Sequence, residues 1–480
     1  MQTKAIPIII NKNSTAVIAA ILLSSLAEIP SYQPIQQPQF ANASPAACVS
    51  YQSGINTITI TCNSSFLDVV QTINDPEILE QEEEEGQYIL NANLDVTDGV
   101  TFEMNSNEDS LQYLKLAGQN GLIVHGRILI DGVLITSWDI EEDDVIEQDM
   151  NGTIRRGYIQ FAASEGSQVL NSEFGYLGDV EPGRRGFDLF GEGPSHDMVI
   201  RNSTFRDMWF AFYSNGAYNI TVDGSEYYDN IKYALDPHTT THDMIITNNW
   251  LHDNPIGVIC SDRCWNILID GNLVEDSTNA AIFFSRNMTD SIARNNHVIN
   301  ARTGILLSES PNNQIYNNIV EGATSNGIRL LNPDIADDGS TEGNIVYNNV
   351  ISNSRDGVSA SRSQNNVVEN TTFSDIEESE YHVAGNSGLI IRGQEFDDAL
   401  ILGEGIDVDE EENGDGNGEE TENVVQIVGS GTIEVTDGVN DGEEGGDEEE
   451  DSDEANAHNT DVEPYTTILG DGDSITVNSS

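Results

Sequence analysis

From about Tyr88 onward the chain is a series of short alternating apolar runs, broken every few residues by Gly, Asn or Asp. Val100-Thr-Phe-Glu-Met, Leu122-Ile-Val-His and Arg127-Ile-Leu-Ile are typical. Alternation of period two between turn formers predicts strands, and no helical periodicity of any length follows. Between about 195 and 385 the pattern repeats. One landmark is a corner, usually containing Asn, as at Asn248-Asn249, Gly271-Asn272, Asn295-Asn296, Asn317-Asn318 and Asn348-Asn349. The other is a small residue followed by an apolar one: Ala211, Ala234, Gly257, Ala281, Gly304, Gly327 and Gly357, stepping by 23, 23, 24, 23, 23 and 30. The last step carries an insertion around Pro333 to Thr341.

A period near 23 with three short strands and tight corners predicts one rung of a parallel β-helix, an all-β solenoid whose rungs must stack to bury their apolar faces. Leucine-rich repeats share the period but need a dense leucine signature and a helix per repeat, and neither is present. Asparagines stacked at one corner can bond from rung to rung and satisfy corner backbone groups.

Around this core the sequence divides further. Residues 48–90 are expected to form a cap: a hairpin around Ile55 to Thr61, a short helix around Phe66 to Leu79, and an acidic loop Glu80–Glu85. The helix domain is expected over 91–400. Residues 401–480 form an acidic tail, largely disordered, with low-complexity runs at 407–420 and 441–454. Two strand-like pieces, Val424-Val-Gln-Ile-Val and Tyr465-Thr-Thr-Ile-Leu, are expected to cover the open end of the helix or to pair with each other. Asn413-Gly-Asp415-Gly-Asn417-Gly418 resembles the start of a calcium loop but lacks the closing Glu. At the other end, Lys4 and Lys12 precede the apolar run Ala16-Val-Ile-Ala-Ala-Ile-Leu-Leu, and Ala41-Asn-Ala43 has the form of a cleavage site. Residues 1–47 therefore have the pattern of a signal peptide and spacer, with a retained anchor as the alternative. Secretion or cell-surface location follows, with no membrane span in the mature chain.

Charge changes the list of partners. The net charge is −63, only four of the nineteen basic residues are lysines, and no Lys or Arg lies beyond Arg392. Nucleic acid is excluded, because that affinity is mostly lysine and arginine meeting phosphate. Such a surface suits high salt. The four cysteines form two close pairs, and an exported chain favours disulfides Cys48–Cys62 and Cys260–Cys264. The pairs are far apart and neither is a CxxC, which argues against zinc.

The candidate chemistry lies at Tyr233-Ala-Leu-Asp236-Pro237-His238. The residue after each small landmark is apolar in all seven rungs (Phe212, Leu235, Val258, Ile282, Ile305, Ile328 and Val358), so these point inward. Asp236 and His238 then point outward together, roughly 6.5–7 Å apart along the strand. The column of His238 holds Asn215, Ser261, Ser285 and Ser308, small polar residues that suit a groove for a chain-like substrate. Arg263 and Arg286 follow in the next rungs, Arg184-Arg185 lies about two rungs before, and Lys232 adjoins Tyr233. Arginines gathered along one line can hold carboxylates. A metal alternative uses His238, His242, Asp243 and His252, but His-x-x-x-His shares a face only on a helix.

At these residues the chain resembles the mannuronan C5-epimerases, right-handed parallel β-helix enzymes with the signature Tyr-Gly-x-Asp-Pro-His; Ala234 stands here for the usual Gly. The similarity continues through Thr241-His-Asp-Met-Ile-Ile-Thr-Asn-Asn and Ile282-Phe-Phe-Ser-Arg-Asn. It covers 180–390 well and 88–180 loosely. The resemblance implies conversion of β-D-mannuronate to α-L-guluronate within an alginate-like polymer. His238 would take the C5 proton, and Tyr233 or a water would return one to the other face. Arg263 would neutralise the carboxylate, and Asp236 would orient His238 or bind that carboxylate. Arg286, Arg185, Lys232, Ser261 and Ser285 would bind substrate. In some relatives the arginine directly follows the serine. Here the order is Ser261-Asp262-Arg263, which makes Arg286, directly after Ser285, the alternative neutraliser. No cofactor is required, although the acidic surface is compatible with Ca²⁺, and a monomer is expected. The competing readings are a uronan lyase, which expels the 4-linked sugar, and a non-catalytic carbohydrate-binding β-helix.

Overall fold

A computed structural model describes residues 48–333, 339–385, 387–396, 399–403, 422–437, 465–469 and 474–478. Residues 1–47, read as a signal peptide and spacer, both acidic runs of the tail and the calcium-like loop lie outside the described residues.

The repeat folds as a parallel β-helix. Each full rung carries three strands, as in Tyr233–His238, His242–Thr247 and Trp250–His252. Each strand pairs in parallel with its counterpart one rung on. Among the described residues twelve such rungs are marked by parallel strands of the third face, from Gln87–Leu90 to Thr372–Ser374. The register is the one read from the sequence. Phe212, Leu235, Val258, Ile282, Ile305, Ile328 and Val358 form one inward column, each 0–1% exposed. A single apolar core runs through the described helix from the cap to Ile391.

The corners explain why the chain turns where it does. Asn249, Asn272, Asn296, Asn318 and Asn349 are buried in one continuous ladder. Each of the first four donates its backbone N–H and its side-chain Nδ2 to the Oδ1 of the next, at 2.9–3.0 Å. The residue before each rung of this ladder is left-handed: Asn248, Asn295, Asn317 and Asn348 at φ 54–56°, and Gly271 at 69°. Asn and Gly are the residues that tolerate this conformation. The pairs Asn-Asn and Gly-Asn therefore have distinct duties: the first residue makes the turn and the second satisfies its buried backbone.

At the N-terminal end, Val49–Gln52 and Thr57–Ile60 form an antiparallel hairpin. The helix is shorter than expected, Phe66–Ile73, begun by a capping box of Ser65 and Asp68 and stopped by left-handed Asn74. Leu79 belongs instead to a strand, Leu79–Gln81, antiparallel to Gln87–Leu90. At the other end, Glu422–Asp437 pairs in parallel with Gly388–Phe396 and Ala399–Gly403, and antiparallel with Tyr465–Leu469 and Ser474–Asn478. Of the tail pieces named from the sequence, Val424–Val428 extends the sheet beside Gly388–Arg392, while Tyr465–Leu469 pairs further along the same strand, with Gly431–Val435, and not with Val424–Val428. No helix among the described residues is long and apolar enough to cross a membrane.

Candidate active site

The strand Tyr233–His238 is positioned by its inward residues. Leu235 is fully buried, and Asp236 and His238 alternate with it on the outer face. The His238 column matches expectation: Asn215, His238, Ser261, Ser285 and Ser308 pair in sequence through five rungs. His238 Nδ1 lies 2.5 Å from Thr239 Oγ1. Its carbonyl accepts from Thr241 Oγ1 at 2.7 Å, and that hydroxyl also meets Ser214 Oγ at 2.9 Å. Tyr233 is half-buried at the far end of the strand, edge-on to Phe210 with ring centres 5.3 Å apart. Base and phenol thus stand at opposite ends of one strand, about 16 Å apart at the Cα atoms at strand rise.

Asp236 is only 1% exposed despite its outward register. It pairs with Tyr213 in the rung before, and Tyr213 pairs with Asp188 in the rung before that. This outer column was not singled out in the sequence. Tyr213 is the phenol whose ring lies beside His238, 5.3 Å between centroids. The Arg185 guanidinium sits 4.1 Å from the Tyr213 ring centre, with Nη1 3.5 Å from Asp188 Oδ2. Asp188 also accepts from the Arg185 backbone N–H at 3.1 Å. Burial pushes the Tyr213 phenol up to about 12, opposed by Arg185 and reinforced by Asp236 and Asp188. Burial likewise raises Asp188 to about 7 against the pull of Arg185. The signal was available: Asp188 and Tyr213 occupy, 48 and 23 residues earlier, the register position of Asp236. The asparagines and small residues dominate the repeat and mask this sparser column.

The arginines divide into two kinds. Arg156 is fully buried and donates to the carbonyls of Gly178, Asp207 and Leu177 at 2.8–3.0 Å, which anchors the loop after Leu134–Asp139. Arg184 pairs with Asp179 at 3.2 Å and covers the Tyr158 ring. Arg185, expected as a substrate ligand, is enclosed by Asp188 and Tyr213 as described. Lys232 lies over the Trp209 ring, 5.2 Å from its centre. By contrast Arg263 and Arg286 are exposed, on the corner that follows the His238 column. Asp262 and Arg286 occupy successive places in that corner, shown by the bonds Thr240 N–H to Asp262 O and Arg263 N–H to Arg286 O. Arg263 meets Asp262 through two contacts of 2.8 Å, one from Nε and one from Nη2. Ser261 and Ser285, 8% and 7% exposed, form the floor beside them.

The four residues of the metal alternative do not come together. His242 binds Asp243 and stacks between Tyr218 and Trp265, while His252 lies on the third face with Glu226 and Asp253. Both expected disulfides are present, Cys48–Cys62 and Cys260–Cys264.

Comparison with known proteins bears on the fold. The family profile described as a right-handed beta helix region matches residues 189–336. A mannuronan C5-epimerase of Pseudomonas syringae pv. tomato is 24% identical over 249 residues, 49% of this chain and 46% of that protein. Over part of its length the chain is similar to mannuronan C5-epimerases. A second such epimerase, from Azotobacter vinelandii, is 28% identical over 134 residues, 27% of this chain and 26% of that protein. The chain spans about half the length, 46%, of the Pseudomonas syringae relative and of a like-named one from Pseudomonas putida. Among solved structures, the periplasmic alginate epimerase AlgG superposes with a TM-score of 0.57 at 19% identity, over 69% of this chain and 85% of that one. That likeness establishes the β-helix fold.

Proposed function

We propose that this protein epimerises β-D-mannuronate to α-L-guluronate within an alginate-like polymer, outside the cytoplasm or at the cell surface. The observation that carries the reading is the outer face of Tyr233–His238. Asp236 and His238 stand side by side there, above a column of small polar residues long enough to seat a chain. Sequence similarity to a named epimerase over 49% of the chain supports the reading.

The chemistry follows from the substrate. The C5 proton of a uronate is weakly acidic while the adjacent carboxylate is negative, so that charge must be neutralised as the proton leaves. His238 takes the proton; an imidazole, with an ordinary pKa near 6.5, suits that task near neutral pH. Tyr213 backs the His238 ring and limits its rotation. Arg263 neutralises the carboxylate, exchanging part of its pairing with Asp262 for the substrate; Arg286 is the second cation in reach of the same groove. A water, or Tyr233 acting through water from the far end of the strand, returns a proton to the opposite face. No step calls for a cofactor.

Proton NMR of polymannuronate incubated with the protein in D₂O tests the reading. Guluronate signals carrying deuterium at C5, without unsaturated ends, are expected. Unsaturated ends would make the enzyme a lyase with the same base. Unchanged polymer, here and with other uronans, would leave a carbohydrate-binding β-helix.

A further inference from the structure

The corner that presents Arg263 is built differently from its neighbours. Each of three successive rungs leaves the His238 column through two left-handed residues: Thr239-Thr240, Asp262-Arg263 and Arg286-Asn287, with φ between 32° and 77°. None is glycine, so each corner needs support from its surroundings. In the His238 rung that support is a hydrogen bond from Thr241 back to the His238 carbonyl. In the next rung the residue in register with Thr241 is Cys264, as the pairing of His242 with Trp265 shows. There the corner is closed covalently to Cys260, around the ring segment Ser261-Asp262-Arg263. Both sulfurs are buried, and Cys264 Sγ lies 3.4 Å from the carbonyl of Pro237, in the motif strand itself. Within the ring, Asp262 grips the Arg263 guanidinium from the adjacent position. Among the described residues the other disulfide lies in the terminal cap.

We propose that the Cys260–Cys264 disulfide is a positioning element for Arg263, holding its guanidinium at the groove one rung beyond His238. This rests on the epimerase reading above. A cross-link closing so short a loop restricts the unfolded chain less than a longer loop would, and the parallel strands on either side already fix the rung. Its effect falls on the exposed corner, where an arginine side chain otherwise has much freedom to lose.

The experiment is a double-mutant cycle between Cys260→Ala/Cys264→Ala and Arg263→Ala, read by C5 deuterium exchange on polymannuronate. With Arg263 present, loss of the disulfide should lower kcat/KM about 10- to 100-fold, the scale of a misplaced catalytic group, with KM rising as well as kcat falling. In the Arg263→Ala background the same loss should cost less than about twofold, because the group it positions is gone. Multiplicative effects, or a fall in kcat alone that follows the folded fraction, would overturn the inference in favour of a purely structural cross-link. Thermal unfolding of all four proteins supplies that fraction. If the cysteine variant does not fold, the structural role stands and the inference fails. If the parent exchanges no deuterium, the epimerase reading fails separately. The cycle is then read by calorimetric binding of polymannuronate oligomers, where non-additivity supports the positioning role and additivity or absent binding overturns it.

Discussion

Two corners of the same solenoid follow opposite rules. In the asparagine corner the same side chain recurs through five rungs, neutral, buried and bonded to its own copy one rung away. In the corner after the His238 column every rung differs: Thr239, Asp262, Arg286 and Glu309 follow one another, all left-handed, with charges of both signs. A stacked corner is most stable when each rung offers what the next requires, which favours uniformity. A corner that must recognise a chain lying across several rungs needs a different group at each step. Variation where repetition would be easiest therefore marks the working face.

The largest effect should come from the outer face. His238→Ala should lower C5 exchange by about a thousandfold, within the range of a lost general base, and leave the unfolding temperature nearly unchanged. Exchange within tenfold of the parent would remove His238 from the chemistry and break the contrast between the two corners.

Asp188 sharpens the contrast through pH. Burial is the main cause of its raised value, about 7. Between about pH 4 and 7 the folded protein keeps a proton that the unfolded chain has lost, so stability falls as pH rises through that window. Asp188→Asn cannot ionise. Its unfolding temperature should vary less from pH 4 to 7, and above pH 7 its unfolding free energy should exceed the parent's by at most about 4 kcal/mol. Parallel profiles for the two proteins would show that Asp188 is ionised throughout, held by Arg185.

The uniform corner should respond in stability alone. Asn296→Ala strands the two donors of Asn272 that meet its Oδ1 and the carbonyl of Ile269 that it serves. A loss of about 3 kcal/mol is expected for buried groups left unpaired, measured by denaturant unfolding, with kcat per folded molecule unchanged. A loss in kcat beyond the unfolded fraction would show that the two corners are coupled.

The difference between the corners also governed what the sequence disclosed. Repetition is visible in one chain, so the rungs, the inward column and the asparagine stack could all be read from spacing. The cysteine pairs were legible because proximity in sequence leaves few pairings. Asp188 and Tyr213 were not found, because their importance lies in the register with Asp236 and in burial, which packing between neighbouring rungs decides. The enclosure of Arg185 escaped for the same reason: sequence shows a cation, whereas Asp188 and Tyr213 determine how much of its charge reaches the groove. The end of the helix at Ile73 turned on Asn74, a single left-handed stop.

The smallest predicted effect concerns salt. A chain of net charge −63 repels a polyuronate at long range, while Arg263 and Arg286 attract it only at contact. Raising ionic strength from 0.1 M to 1 M shortens the screening length from about 10 Å to about 3 Å, which removes the distant repulsion before the contact attraction. The rate constant kcat/KM should therefore rise a few-fold across that range, mostly through KM, measured as initial C5 exchange on polymannuronate. Asn296→Ala should leave this dependence untouched, since its corner is neutral. Arg286→Ala should steepen it by deleting one of the two attractive charges. A steady fall in kcat/KM with salt would instead mean that local contacts at the variable corner outweigh the charge of the whole chain.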